Sequence, residues 1–290
     1  MIFASDLDQT LIYSPKSFRL IPGQPIPAVS SIEIYEGREI SFMADSAIAR
    51  LQKIASQNIF VPVTTRTIDQ YQRISLFREN LIPAYGVVSN GGNIIVDGVV
   101  DHIWQIQVAL NMDQLCLCAE DMLASLNELC HESWAGSMRM ADGLFYYCIV
   151  ERDKVPLNEI ESFALWARQQ QWNVSLQGRK LYVVPQVVNK WTAVAYIRDV
   201  LQKKVVIAAG DSLLDLCMLE QADYAIAPCH GELWDCYSRG ELQGKAMKFT
   251  KQAGILAADD ILDYVIDHPA AGFVNQSLPA ECKMRSSKSS

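Results

Sequence analysis

Two stretches of this 290-residue chain place carboxylates where a buried strand would end. The first, IFASDLDQTLI over residues 2–12, is apolar from Ile2 to Ala4 and then sets Asp6 and Asp8 one residue apart before Leu11 and Ile12. The second, AAGDSLLD over 208–215, closes an apolar run with Gly210-Asp211 and adds Asp215 about one helical turn further on. Either stretch alone also suits a turn or a helix cap, because Asp and Ser satisfy backbone N–H groups there. Brought to one sheet edge, the carboxylates would repel each other by several kcal/mol unless a cation neutralised them. A hard divalent ion with few oxygen ligands, Mg²⁺, is the natural resolution, sharing its shell with a phosphate. Two more residues would complete an anion site. Thr64, followed by Thr65 and Arg66 after the run IFVPV, offers a hydroxyl and backbone N–H groups to phosphate oxygens, or else caps a helix. Lys190, in VVNKWTAV, opens a helix, where a cation opposes the macrodipole unless it faces an anion or is solvated.

The elements that would gather these residues follow from apolar patterning. Four short runs, IFAS (2–5), IFVPVT (59–64), YGVVS (85–89) and VVIAAG (205–210), each precede a helical pattern. Such alternation predicts an α/β fold with a doubly wound parallel sheet. Ligands of such sheets bind beyond the carboxyl ends of the strands, where Asp6, Thr64 and Asp211 fall. Residues 44–57 and 191–203 read as helices with Ile48, Leu51 and Ile54, and Val194, Ile197 and Leu201, at helical spacing. Between about 97 and 185 the texture changes: 113–130 and 157–171 look helical, while 138–150 and 178–185 look like antiparallel strands. The expected division is therefore a discontinuous core of 1–96 and 186–275, an inserted α+β domain of 97–185, and a polar, disordered tail from 276 to 290. An early excursion over 15–43 passes through Pro15, Pro22, Pro25 and Pro27 and reads as a β-hairpin turning at Glu36-Gly37.

In this order along the chain the motifs resemble the haloacid dehalogenase-like (HAD) hydrolase superfamily. DLDQT looks like its DxDx(T/V) first motif, Thr64 its second-motif Thr/Ser, Lys190 its third-motif lysine and GDSLLD its fourth motif, GDxxxD. The insertion, preceded by SNGG (89–92) and followed by GRKLYVVP running into Val188-Asn189-Lys190, is similar to that of the Cof-like and sucrose-phosphatase-like branch, where it forms an α/β cap over a Rossmann-like core. The resemblance implies that Asp6 is the nucleophile, forming an aspartyl-phosphate, and Asp8 the general acid/base. It implies that Thr64 and Lys190 hold phosphoryl oxygens and that Asp6, Asp8 (by its backbone carbonyl) and Asp211 hold Mg²⁺, with Asp215 as ligand or support and Ser212 helping through its backbone. Three positions depart from the pattern. Gln9 replaces the glycine of DxDGT, Thr65 replaces that of TGR and leaves open whether Thr64 or Thr65 faces phosphate, and Leu214 stands where the branch often has Asn.

Composition sets the outer bounds. Half the residues are hydrophobic and 20% are charged, as in a globular protein with a sizeable core. A net charge of −8 disfavours nucleic acid and anionic membrane as partners, though a local basic pocket can still hold an anion. No run reaches the roughly 20 apolar residues that span a bilayer, which speaks against a P-type ATPase. With no basic leader before the acidic motif, the expected compartment is the cytoplasm. The eight cysteines form no pair of CxxC motifs, so neither zinc nor a disulfide framework is expected.

The leading expectation is a Mg²⁺-dependent phosphohydrolase acting on a small phosphorylated metabolite, a sugar phosphate being one candidate. A sugar phosphomutase using the same aspartate pair and a non-catalytic HAD-fold binding protein are the alternatives; release of free phosphate separates them. Dehalogenation needs neither Asp8 nor a metal cluster. In the inserted domain, Arg139, Asp142, Tyr146, Tyr147, Arg179, Lys180 and Tyr182 either reach the cleft or face solvent, and with them rests the identity of the substrate.

Overall fold

The computed structural model describes residues 1–242 and 247–272. The tail expected over 276–290, with Cys282, lies outside them. In chain order the first strands are β1 (Ile2–Ser5), β2 (Val29–Tyr35), β3 (Arg38–Ala44), β4 (Ile59–Pro62), β5 (Tyr85–Val88), β6 (Asn93–Val96) and β7 (Val99–Val100). The second half supplies β8 (Arg139–Ala141), β9 (Phe145–Ile149), β10 (Trp172–Gln177), β11 (Lys180–Pro185), β12 (Val206–Ala209), β13 (Tyr224–Ala227) and β14 (Lys248–Phe249).

The core sheet is parallel throughout, in the order β14-β13-β12-β1-β4, with Ile2 opposite both Val206 and Ile59, and Ser5 opposite Ala209 and Pro62. Its two central strands are short, apolar and wholly buried, as helices on both faces require. Alternation along β1 sends Phe3 to one face, against Leu51, Ile54, Ile261 and Leu262 of the helices Asp45–Gln57 and Ala257–Asp267. Ile2 and Ala4 go to the other, against Val194 and Ile197 of the helix Lys190–Val200.

The expected fourth parallel strand, 85–89, is attached to this sheet by a single parallel bridge between Val63 and Val87. Its main pairing is antiparallel, in the three-stranded sheet β5-β6-β7. Ser89, Asn90 and Gly91 all take positive φ (53°, 57° and 97°) and turn the chain straight back.

The inserted cap is a four-stranded antiparallel sheet, β10-β11-β9-β8, over which the helices Ala119–Leu129 and Leu157–Gln169 pack around Trp172, Cys148 and Leu181. The expected helix over 113–130 is in fact two, His102–Leu115 and Ala119–Leu129. The first is capped by Asp101, whose Oδ1 accepts from the Ile103 and Trp104 N–H groups, and its Trp104 and Val108 join the core cluster. Its apolar residues fall on two sides, with Ile103 and Ile106 exposed opposite buried Trp104 and Val108, so no single stripe marks it. Strand β10 was not anticipated.

The hairpin over 29–44 forms with Glu36 and Gly37 at its tip, both at positive φ (51° and 73°), as a two-residue turn between twisted strands needs. Tyr13 and Phe42 exchange backbone hydrogen bonds at 2.8 Å, which docks the hairpin beside the first acidic motif. Among the described residues no helix is long and apolar enough to cross a membrane.

Candidate active site

The backbone sets the first carboxylate. Asp6 still donates its N–H to the Ala209 carbonyl at 2.8 Å, and a tight turn follows in which Thr10, Leu11 and Ile12 all donate to the carbonyl of buried Leu7. Gln9, in the glycine-like position, sits at φ 63°. The turn brings the Thr10 hydroxyl back to Asp6 Oδ2 at 3.1 Å, while Asp6 Oδ1 accepts from Lys190 Nζ at 2.6 Å.

Lys190 is the first residue of its helix and only 1% exposed. The cap residue Asn189 accepts from the Thr192 N–H, so the helix begins where its lysine meets acid. The same ammonium reaches Asp215 Oδ1 at 2.5 Å. The other oxygen of Asp215 accepts from the N–H groups of Asp211 and Ser212 and from the Ser212 hydroxyl, closing the GDSLLD turn. Asp6, Asp211 and Asp215, all buried, each bring one oxygen within 4.8 Å of the others.

Burial, then repulsion from Asp215, pushes Asp6 up to about 7 despite Lys190. Asp211 is driven well above the carboxylate range by burial and by Asp6. Lys190 resists the downward pull of burial because Asp215 and Asp6 hold its proton, and it ends above an ordinary lysine. Three carboxylates against one ammonium leave an excess of buried negative charge, and the donor set is all oxygen. These residues therefore fit a hard divalent cation. Gly231, at φ 83°, lets the backbone pass so close that a Cβ there would lie 2.9 Å from Asp211 Oδ2.

Asp8 stands apart from this cluster. Its side chain is 52% exposed and held bidentately by Arg66, Nε to Oδ2 and Nη2 to Oδ1, both at 2.8 Å. Burial of the group works upward, but Arg66 prevails and keeps its carboxyl below the usual range. Arg66 also donates to Glu33 at 2.7 Å; Glu33, 1% exposed on β2, takes further bonds from Arg73 and Ser41. Sequence reasoning passed over Glu33 and Arg73 and gave Arg66 no partner. Alternation of Ile32 and Ile34 about Glu33 points the glutamate outward in the sequence, and irregular pairing on either side of Glu33 buries it instead, so no local signal marks it.

Thr64 is buried, and its hydroxyl oxygen accepts from the Arg66 N–H at 3.1 Å; Thr65 lines the open cleft beside Arg66. The SNGG segment clips these strand ends together. Ser89 donates to the Arg66 carbonyl, Asn90 to that of Thr64, and the Asn90 side chain to Val188. A Cβ on Gly91 would lie 2.1 Å from the Asn189 carbonyl, so only glycine permits this approach to the Lys190 helix.

The cleft has a volume of about 1070 Å³, with Asp6, Asp8, Lys190 and Asp211 on the core side and Tyr147, Arg179, Lys180 and Tyr182 on the cap side. Of the other cap candidates, Arg139 is exposed. Tyr146 is buried against Trp172, and Asp142 docks the cap by accepting from Ser89 and from the Ile68 N–H.

A family model described as Sucrose-6F-phosphate phosphohydrolase matches residues 1–230. Among solved structures the chain is similar to the sucrose-phosphatase of Synechocystis in complex with sucrose and phosphate, at TM-score 0.62 and 13% identity over 91% of this chain and 96% of that one. It is also similar to a HAD-superfamily phosphatase from Bacteroides thetaiotaomicron, at TM-score 0.54 and 12% identity over 93% and 94% of the two chains. A HAD subclass IIB sugar phosphatase matches at TM-score 0.54 and 13% identity, over 91% and 97%. At these identities the likeness is one of fold. No curated protein sequence matches the chain.

Proposed function

The chain belongs to the sucrose-6F-phosphate phosphohydrolase family of HAD phosphatases, and from that premise we propose that it cleaves the phosphate monoester of a small sugar metabolite with Mg²⁺ as cofactor and Asp6 as nucleophile. The observation that carries this reading is the Asp6 carboxylate, held from one side by Thr10 and from the other by Lys190, 2.6 Å away. A carboxylate so fixed is aimed at a bound phosphorus and loses little orientational freedom on attack, giving an aspartyl-phosphate.

Asp6, the backbone carbonyl of Asp8 and Asp211 are the groups that would hold the cation; Asp215 supports them by fixing the Asp211 turn and Lys190. Bound there, Mg²⁺ would neutralise the carboxylates and draw charge from the phosphoryl oxygens. Lys190, the Thr64 hydroxyl and the Thr65 N–H group hold those oxygens, the Thr64 N–H being taken by the Val87 carbonyl, and so match the charge that develops as the ester bond breaks. Asp8 gives its proton to the leaving oxygen and then takes one from the water that hydrolyses the intermediate. Its pair with Arg66 suits the second role, which needs the ionised form, and must loosen for the first. The aromatic cap residues Tyr147 and Tyr182 offer faces and hydroxyls to a sugar, and the family and the sucrose-bound neighbour favour that substrate class.

The test is phosphate release from a panel of sugar phosphates, nucleotides, phospho-acids and pyridoxal phosphate, with Mg²⁺ and with EDTA. Mg²⁺-dependent release that is fastest from a sugar phosphate is expected. No turnover of any ester would contradict the assignment, and transfer to a second hydroxyl in place of free phosphate would mark a mutase.

A further inference from the structure

The two walls of the cleft differ in how their charges are matched. On the core side most cations have carboxylates: Lys190 meets Asp6 and Asp215, Arg66 meets Asp8 and Glu33, and Arg73 meets Glu33, while Arg19 donates to the amide oxygen of Gln9. On the cap side, Arg179 and Lys180 sit at the turn joining β10 to β11, and among the described residues neither has a carboxylate at ion-pair distance.

The Lys180 ammonium lies 5.7 Å above the ring of Tyr147 and 5.9 Å above that of Tyr182, two residues that themselves line the cleft. It is close enough to Asp8 to help hold that carboxyl down, behind the larger effect of Arg66. Directly across the hairpin, Gln177 is the register partner of Lys180; it also lines the cleft, and its buried Nε2 has no hydrogen-bond partner. One hairpin tip thus presents a guanidinium and an ammonium to the cleft, beside a buried amide N–H group that has no hydrogen-bond partner. Arg and Lys have donors and no acceptor, so the complementary group is an oxyanion. Both side chains are exposed, and a neutral sugar hydroxyl would give neither the charge-assisted contact that an oxyanion gives. This matters in a chain whose net charge is −8, where unmatched cations facing a site that must receive an anion are not a property of the whole surface.

We infer that the leaving group of the substrate carries a second anionic group, a carboxylate or a phosphate, which the β10–β11 tip binds through Arg179 and Lys180 while the scissile phosphate lies between Asp6 and Lys190. The inference rests on the phosphohydrolase reading above and narrows it: the preferred substrate is a doubly anionic phosphorylated sugar rather than the phosphate of a neutral disaccharide.

The experiment compares kcat/KM of the Mg²⁺-loaded full chain on sucrose 6-phosphate and glucose 6-phosphate, whose leaving groups are neutral, with 6-phosphogluconate and fructose 1,6-bisphosphate, which carry a carboxylate and a second phosphate. A charge-assisted contact predicts a preference of about ten- to a hundredfold for one anionic arm, and which arm wins identifies the oxyanion. In Lys180→Gln and Arg179→Gln the ratio of anionic to neutral kcat/KM should fall about tenfold, mainly through KM, because the contact is remote from phosphorus. Equal or better turnover of the neutral esters would overturn the inference and leave the phosphohydrolase reading standing. A preference that survives both substitutions would overturn the assignment to this hairpin. No release from any ester would overturn both readings.

Discussion

At the residue scale, one ammonium organises the site. Lys190 pairs with Asp6 and Asp215, and its own position depends on Asn189 and on the glycine that lets the SNGG loop come close. Asp6 and Asp8, two residues apart, are separated by environment: one lies in the carboxylate cluster, the other against Arg66. Replacing Asp8 by Asn should therefore lower kcat about 10²–10⁴-fold in steady-state assays while leaving metal affinity near wild type, since its backbone carbonyl remains. His230 gives a second prediction. Its Nδ1 accepts from the Gly254 N–H at 3.1 Å, so Nε2 carries the proton and donates to the Gln9 carbonyl at 3.0 Å. Burial lowers its pKa to about 4, so the native state disfavours a proton that the unfolded chain takes up more readily. The stability it contributes is complete above the ordinary histidine range, near pH 6.5, and is lost as pH falls through about 4. Urea unfolding should show a loss of up to about 3 kcal/mol across that window, and His230→Gln should flatten it. The four motifs were legible in the sequence because each sits at a strand or helix end. Arg66 and Glu33 were not paired there, since nothing local shows that a hairpin strand turns its glutamate toward a distant arginine.

At the element scale, the hairpin of β2 and β3 is part of the site. Buried Glu33 anchors both Arg66 and Arg73, so Glu33→Gln leaves two guanidinium groups short of charge. Breaking such a buried set costs about 3 kcal/mol, measurable as a lower urea midpoint, and frees Asp8 from its clamp. The turn after β12 is equally constrained. A Cβ on Gly210 would lie 2.5 Å from the Asp215 side chain, so Gly210→Ala should cost about 1–3 kcal/mol in the same assay and reduce turnover by moving Asp215 off Lys190. Parallel strands and their helices were readable because short β-branched runs alternate with stripes at helical spacing. The helix His102–Leu115 was misplaced because it buries Trp104 in the core while leaving Ile103 and Ile106 exposed, and 85–89 pairs mainly with its own antiparallel return.

At the scale of the whole molecule, a parallel core supplies the carboxylate cluster and an inserted antiparallel cap supplies the opposite wall of the cleft. The order of motifs along the chain foretold this division, because an insertion between Thr64 and Lys190 must emerge where the strands end. The chemistry of the cap wall was not foretold: alternate positions of a strand look the same in sequence whether they meet a substrate or water. Covalent attack by Asp6 would be trapped by acid-quenching the Mg²⁺-loaded enzyme during turnover, reducing with borohydride and mapping the product by mass spectrometry. Homoserine is expected at position 6, absent without substrate, together with at least about a thousandfold loss of phosphate release in Asp6→Asn. Unmodified Asp6 during full turnover, or an Asp6→Asn enzyme as active as wild type, would contradict covalent attack.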